Sequence, residues 1–121
     1  PSVVNIRGAA DPSHEPLPPD QFAAAVPAVR AKYGLKRPFV LYVGGYDPRK
    51  NLPGAIAAFA AIPETVRANL DLVIACKMLA SEREHLETVA REHGVSGRAI
   101  VTGFVSDADL RVMYQACRVF F

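Results

Sequence analysis

The densest grouping of residues able to handle an anion is Gly44-Gly45-Tyr46-Asp47-Pro48-Arg49-Lys50-Asn51. Two glycines let a backbone turn sharply and approach a ligand without an intervening Cβ. Arg49 and Lys50 place two cations just before a helix expected to begin near Asn51, where unpaired N–H groups and the helix dipole already favour negative charge. The chemistry this spacing suggests is the holding of a diphosphate. The plainer alternative is a glycine turn followed by two solvated cations, and spacing alone does not separate the two. Neither G-x-G-x-x-G nor G-x-x-x-x-G-K-S/T is present, which argues against a nicotinamide dehydrogenase and a P-loop nucleotidase.

Other reactive residue types give weaker signals. His14, His85 and His93 form no HExxH or i, i+4 pair, so no metal site is expected and the three are read as surface or capping residues. Cys76 and Cys117 lack CxxC spacing and are expected to be buried core thiols in a reducing compartment. Glu82, Glu84 and Glu87 beside Arg83 and Arg91 read as a solvated helix face. A net charge of +2, from fourteen basic and twelve acidic residues, is too slight to point to nucleic acid or an anionic membrane. A small-molecule partner fits better. No apolar run reaches the ~18 residues of a membrane span and no leader pattern is visible, so a cytoplasmic location is expected. The chain starts at Pro1 without an initiator methionine and stops at Phe121 inside an expected strand, as the ends of a fragment would.

These residues need a scaffold, and the hydrophobic pattern describes one. Half of the 121 residues are hydrophobic, enough for one domain. Val3 to Ile6 reads as a strand, followed by a proline-rich linker and a helix near Asp20 that Pro27 either interrupts or reopens as a second piece from a first-turn position, and that Gly34 stops. From Phe39 to Val43 a run of β-formers predicts a buried strand. Leu52, Ala55, Ile56, Phe59 and Ala60 then recur at helical spacing. A second strand is expected over Leu70 to Ala75, its start blurred by Asp71. A helix opened by a Ser81/Glu84 capping box should end at Gly94. Ala99 to Thr102 gives a third strand, and Ser106 should cap a helix carrying Leu110, Met113, Tyr114 and Cys117 on one stripe. Arg118 to Phe121 begins a fourth strand.

A β–α–β–α–β–α–β series with short connections requires parallel strands and right-handed crossovers. The predicted fold class is α/β, a Rossmann-like doubly wound parallel sheet in three α/β/α layers, truncated after the fourth strand. In the order 3-2-1-4, ligands bind at the carboxyl ends of the strands where the winding reverses, between the first and fourth. Residues 1–38 are assigned to the N-terminal strand, the crossover and a packing helix, and residues 39–121 to the partial Rossmann-like domain.

Val40-Leu41-Tyr42-Val43-Gly44-Gly45-Tyr46-Asp47-Pro48-Arg49-Lys50-Asn51-Leu52 resembles the opening of the donor-binding domain of group 1 (family 4) retaining glycosyltransferases of the GT-B fold. Leu72-Val73-Ile74-Ala75 is similar to that family's second strand. Ile100-Val101-Thr102-Gly103-Phe104-Val105-Ser106-Asp107-Ala108-Asp109-Leu110 is similar to the segment spanning its third strand and next helix. The resemblance covers about Phe39 to Phe121, and more loosely Val3 to Pro16.

The resemblance implies a hexosyltransferase-type enzyme that moves a sugar from a nucleoside-diphosphate-sugar donor to a carbohydrate or lipid-linked acceptor with retention. No cofactor or metal is implied. By position, Lys50 matches the lysine on the donor diphosphate and Arg49 is its expected partner. Gly44 and Gly45 would line the loop. Val105, with Phe104 beside it, matches a base-contacting position, although core packing is an equal alternative for both. Many relatives have an arginine where this chain has Gly45 and a glycine where it has Cys76, and their glutamate-containing loop follows the fourth strand. The acceptor would be held by a separate domain, so this piece alone is expected to be inactive. In the parent a location peripheral to the inner membrane face is expected, and the fragment is expected to dimerise through the fourth strand's edge. Two other readings compete: a non-catalytic nucleotide-binding or assembly module, and an oxidoreductase-type Rossmann domain.

Overall fold

The computed structural model describes residues 15–121. The strand expected at Val3 to Ile6, most of the proline-rich linker and His14 lie outside that range.

The chain runs α1 (Pro19–Tyr33), β1 (Phe39–Val43), a 3-10 turn (Pro48–Lys50), α2 (Leu52–Ala61), α3 (Glu64–Arg67), β2 (Asp71–Ala75), α4 (Ala80–Glu92), β3 (Ala99–Val101), α5 (Asp107–Ala116) and β4 (Val119–Phe120). All strands pair in parallel, in the order β3-β2-β1-β4.

Side chains alternate faces along a strand, and here both faces are covered. Val40, Tyr42, Leu72 and Ile74 pack beneath Leu52, Ile56 and Phe59 of α2 and Leu86 and Val89 of α4. Phe39, Leu41, Val73 and Ala75 pack on the opposite side with Val29 of α1 and Val112 and Met113 of α5. The crossovers through α2 and α4 therefore use one face and the crossover through α5 the other. That change of face brings β4 to the far side of β1 and creates the reversal between them, in three α/β/α layers.

Several local expectations need correction. α1 runs through Pro27 without a break, because a proline with helical φ removes one hydrogen bond yet need not end a helix held by tertiary packing. Gly34 stops it at φ 68°. α3 was not expected. α4 starts at Ala80, so Ser81 is inside the helix and the capping carboxylate is Glu82, which accepts from the Leu79 backbone N–H at 2.7 Å. Arg83 is not purely solvated, since its guanidinium donates to the Val101 carbonyl at the end of β3. The expected stripe of α5 does pack on the core, Met113 buried and Leu110, Tyr114 and Cys117 half-buried, and Val112 joins it. Asp71 opens β2 at 1% exposure, paired with Arg98 at 2.9 Å and Arg37 at 3.5 Å. Cys76 is buried, whereas Cys117 is only half-buried.

Candidate functional site at the carboxyl edge of the sheet

β1 ends at Val43 and its ladder continues one step, Gly44 N–H donating to the Ala75 carbonyl at 3.3 Å. The chain then crosses the sheet edge through Gly45 and Tyr46 into the 3-10 turn. Asp47 caps that turn, its carboxylate accepting from Arg49 N–H at 2.8 Å, and Pro48 pre-sets the first turn position. Asn51 joins the turn to α2 in the left-handed conformation, φ 48°, and its side chain accepts from Gly54 N–H at 3.1 Å. Cations and a helix entrance are thus brought to the carboxyl end of a central strand next to the winding reversal.

The two glycines differ in what they require. Neither takes a left-handed φ, so the sharp turn expected of them is not what selects glycine. A Cβ on Gly44 would lie 2.7 Å from the Tyr42 hydroxyl, which donates to the Gly45 carbonyl at 3.1 Å, so bulk is excluded there. A Cβ on Gly45 would meet nothing within 4 Å.

The two cations also differ. Arg49 closes on Asp47 through Nε, 3.1 Å from both carboxylate oxygens, and Nη2 at 2.7 Å. That pair holds the Asp47 carboxyl below its ordinary range and the guanidinium above its own. Lys50 is exposed, and its ammonium makes no hydrogen bond or ion pair among the described residues. Lys50 is therefore the cation of the loop with no hydrogen-bonded counter-ion, near enough to Asp47 that its charge helps lower that carboxyl.

The expected supply of free helix amides is smaller than the sequence suggested. In the first turn of α2, Pro53 has no N–H and Gly54 N–H is taken by Asn51, leaving Leu52 N–H without a partner among the described residues.

On the third strand's side, Gly103 takes φ 80° and sets Phe104 outward at 71% exposure while Val105 turns inward at 5%. Val105 belongs to the core with Val112 and Met113, so a ligand would meet this position through its backbone. A cleft of about 240 Å3 lies between Tyr46, Asp47, Asn51 and His85, below the ~300–1,000 Å3 usual for a small-molecule site. Among the described residues no group of three His, Cys, Asp or Glu side chains is arranged to hold a metal. No helix of the described residues is long and apolar enough to cross a membrane.

A doubly wound parallel sheet whose order reverses beside β1 defines a Rossmann-like α/β domain. Its family follows from comparison: a profile described as glycosyl transferases group 1 matches residues 26–121, and the chain belongs to that family. It is 29% identical over 119 residues to the serotype-specific mannosyltransferase WbdA of Escherichia coli, covering 98% of this chain and 14% of that protein. It is 28% identical to O-antigen chain mannosyltransferase B of Escherichia coli, covering 98% and 30% respectively. The chain thus spans less than a third of these relatives. Among solved structures, WaaG, a glycosyltransferase involved in lipopolysaccharide biosynthesis, superposes with a TM-score of 0.70 at 22% identity over 91% of this chain and 28% of that one. Sucrose-phosphate synthase from Thermosynechococcus elongatus superposes with a TM-score of 0.61 at 29% identity over 78% and 24%. The GT-B glycosyltransferase resemblance read from three sequence segments is thereby established for the chain and its fold.

Proposed function

We propose that this domain holds the diphosphate of a nucleoside-diphosphate sugar for a hexosyl transfer with retention at the anomeric carbon. The observation that carries the reading is the exposed, unpaired Lys50 at the carboxyl edge of β1, next to the reversal of the winding. In the transfer, the bond from the anomeric carbon to the diphosphate oxygen breaks with its electron pair on the oxygen. The acceptor hydroxyl oxygen forms the new bond to the anomeric carbon, and its proton passes to the departing diphosphate oxygen. Negative charge grows on the leaving diphosphate, and a cation fixed beside it favours that state over the bound donor. Lys50 takes this role, beside an Arg49 that Asp47 already holds. Phe104 and the backbone of Val105 face the base. No metal or other cofactor is needed, and the donor is a substrate.

The names of the matched relatives favour a mannosyl donor. Their length, several times that of this chain, supports placing acceptor recognition in another domain, so the isolated chain binds donor without transferring it. A lipid-linked acceptor would bring the enzyme to the cytoplasmic face of the inner membrane. The test is Lys50→Ala in the full-length protein. Loss of a charge-assisted contact costs about 1.5–3 kcal/mol, or roughly ten- to a hundredfold in donor affinity. Unchanged donor binding would remove Lys50 from the site. Normal donor binding without transfer in the unmutated protein would favour a non-catalytic nucleotide-binding module.

A further inference from the structure

We infer that Lys77, on the loop leaving β2, supplies the second cation to the donor diphosphate in place of Arg49; this rests on the donor reading above. Parallel pairing sets Val43 against Ala75, and the Gly44 N–H to Ala75 carbonyl bond carries the ladder one residue beyond the strands. Counting on in the same register, Lys77 leaves β2 level with Gly45 on the adjacent strand. Its starting point is fixed, because Cys76 immediately before it is 1% exposed and packed in the core beneath α2 and α4.

Three observations then converge. Gly45 leaves open space beside the loop, since even a Cβ there would touch nothing within 4 Å. Lys77 is exposed, and its ammonium has no hydrogen-bond or ion-pair partner among the described residues. Arg49, the cation nearest Lys50 in the chain, is already neutralised by Asp47. A diphosphate carries more charge than one ammonium offsets, and two cations rising from neighbouring central strands can clamp it from two sides. A cation occupied by its own carboxylate must first give that contact up. The open space at Gly45 is what allows a side chain based on β2 to reach over β1.

Titration calorimetry on the full-length protein, with UDP, GDP and ADP and with inorganic pyrophosphate as a base-free probe, tests this. Lys77→Ala is expected to weaken the nucleoside diphosphate that binds, and pyrophosphate, by about tenfold. The uncharged nucleoside should be unaffected and the melting temperature unchanged. Lys77→Arg should restore most of the affinity, and Gly45→Arg should restore it in the Lys77→Ala background by placing a guanidinium in the same open space. Arg49→Ala is expected to stay within about twofold. A tenfold loss for Arg49→Ala with no change for Lys77→Ala would overturn the inference. If Lys50→Ala weakens binding while Lys77→Ala does not, the donor reading stands and Lys77 leaves the site. If the unmutated protein binds none of the nucleoside diphosphates, the donor reading falls and Lys77 with it.

Discussion

Arg49 and Asp47 form a chelate two residues apart, the guanidinium meeting both carboxylate oxygens at 2.7–3.1 Å while the same carboxylate caps the Arg49 backbone N–H. The site loop thus carries its own counter-charge. Asp47→Asn keeps a cap acceptor and removes the charge, so nucleoside-diphosphate affinity is expected to rise about two- to fivefold at low salt and less at high salt. The Arg49 hydrogen bonds depress the Asp47 carboxyl, so its pairing is complete above the ordinary carboxylate range and lost only as pH falls through the lowered folded value. Between about pH 5 and 8 this pair should add no pH dependence to binding. An affinity that falls in Asp47→Asn would show the carboxylate to be a ligand contact instead.

Gly54 and Asn51 are coupled at the entrance to α2. A Cβ on Gly54 would lie 2.3 Å from the Asn51 amide nitrogen, so Gly54→Ala expels the capping side chain. The lost cap, about 1 kcal/mol, should cancel the gain of about 1 kcal/mol from replacing glycine in a helix. In an Asn51→Gly background, where φ 48° costs nothing and no cap remains, the same change should stabilise by about 1 kcal/mol. Additive denaturation midpoints in the four-member cycle would refute the coupling.

At the opposite end of the sheet, Arg98 ties Asp71 to the loop before β3, donating to the carboxylate at 2.9 Å and, from Nη2, to the Arg67 and Leu70 carbonyls. Arg98→Ala leaves a 1% exposed carboxylate with only Arg37 at 3.5 Å and should cost about 3–5 kcal/mol. Arg37→Ala, removing the longer and more exposed contact, should cost less than about 1 kcal/mol. Urea unfolding of the two variants compares them, and equal losses would contradict the assignment.

Asp109 joins α5 to α1, accepting from Lys32 and from the Tyr33 hydroxyl, each at 2.7 Å. The Lys32 hydrogen bond is the main cause of its lowered pKa, with Tyr33 and Ser106 adding to it. A depressed carboxyl stabilises the fold above its unfolded value and loses that contribution as pH falls through the folded one. Asp109→Asn should therefore destabilise at neutral pH, and its difference from the unmutated chain should vanish in acid. A constant difference from pH 7 to about pH 2 would rule out this origin.

Among the described residues β4 pairs only with β1, and Val119, Phe120 and Phe121 are 54%, 53% and 50% exposed beside an apolar groove of about 250 Å3 between Phe59, Ile62 and Phe121. An open, apolar strand edge invites pairing with a second copy. For the 121-residue chain, light scattering is expected to show mass rising with concentration and Phe120→Lys to suppress it. A constant monomer mass would dispose of the edge contact.

Reading the chain without coordinates yields the strands and the longer helices, because a strand buried on both faces must be a short apolar run and an amphipathic helix must repeat its apolar residues every turn. Phe39–Val43 and the stripe of α2 are legible this way, and the loop from Gly44 to Asn51 stands out by composition alone. α3 was missed because four residues show no periodicity, and the start of α4 was misplaced because two carboxylates, Glu82 and Glu84, both fit a capping pattern.

Residue spacing sufficed for the fold class and composition for the loop, since both are written locally along the chain, while the family rested on the likeness of three segments to known glycosyltransferases. Spacing and composition could not reveal that Arg49 is paired with Asp47, that Val105 is in the core while Phe104 is outside, that Asp71 is buried against Arg98, or that Val43 lies against Ala75. Those facts depend on strand order and register, which join residues 27 or more positions apart, and on which side chain reaches a given counter-charge first. Packing of the two helical layers onto the sheet fixes both, and no periodicity records it.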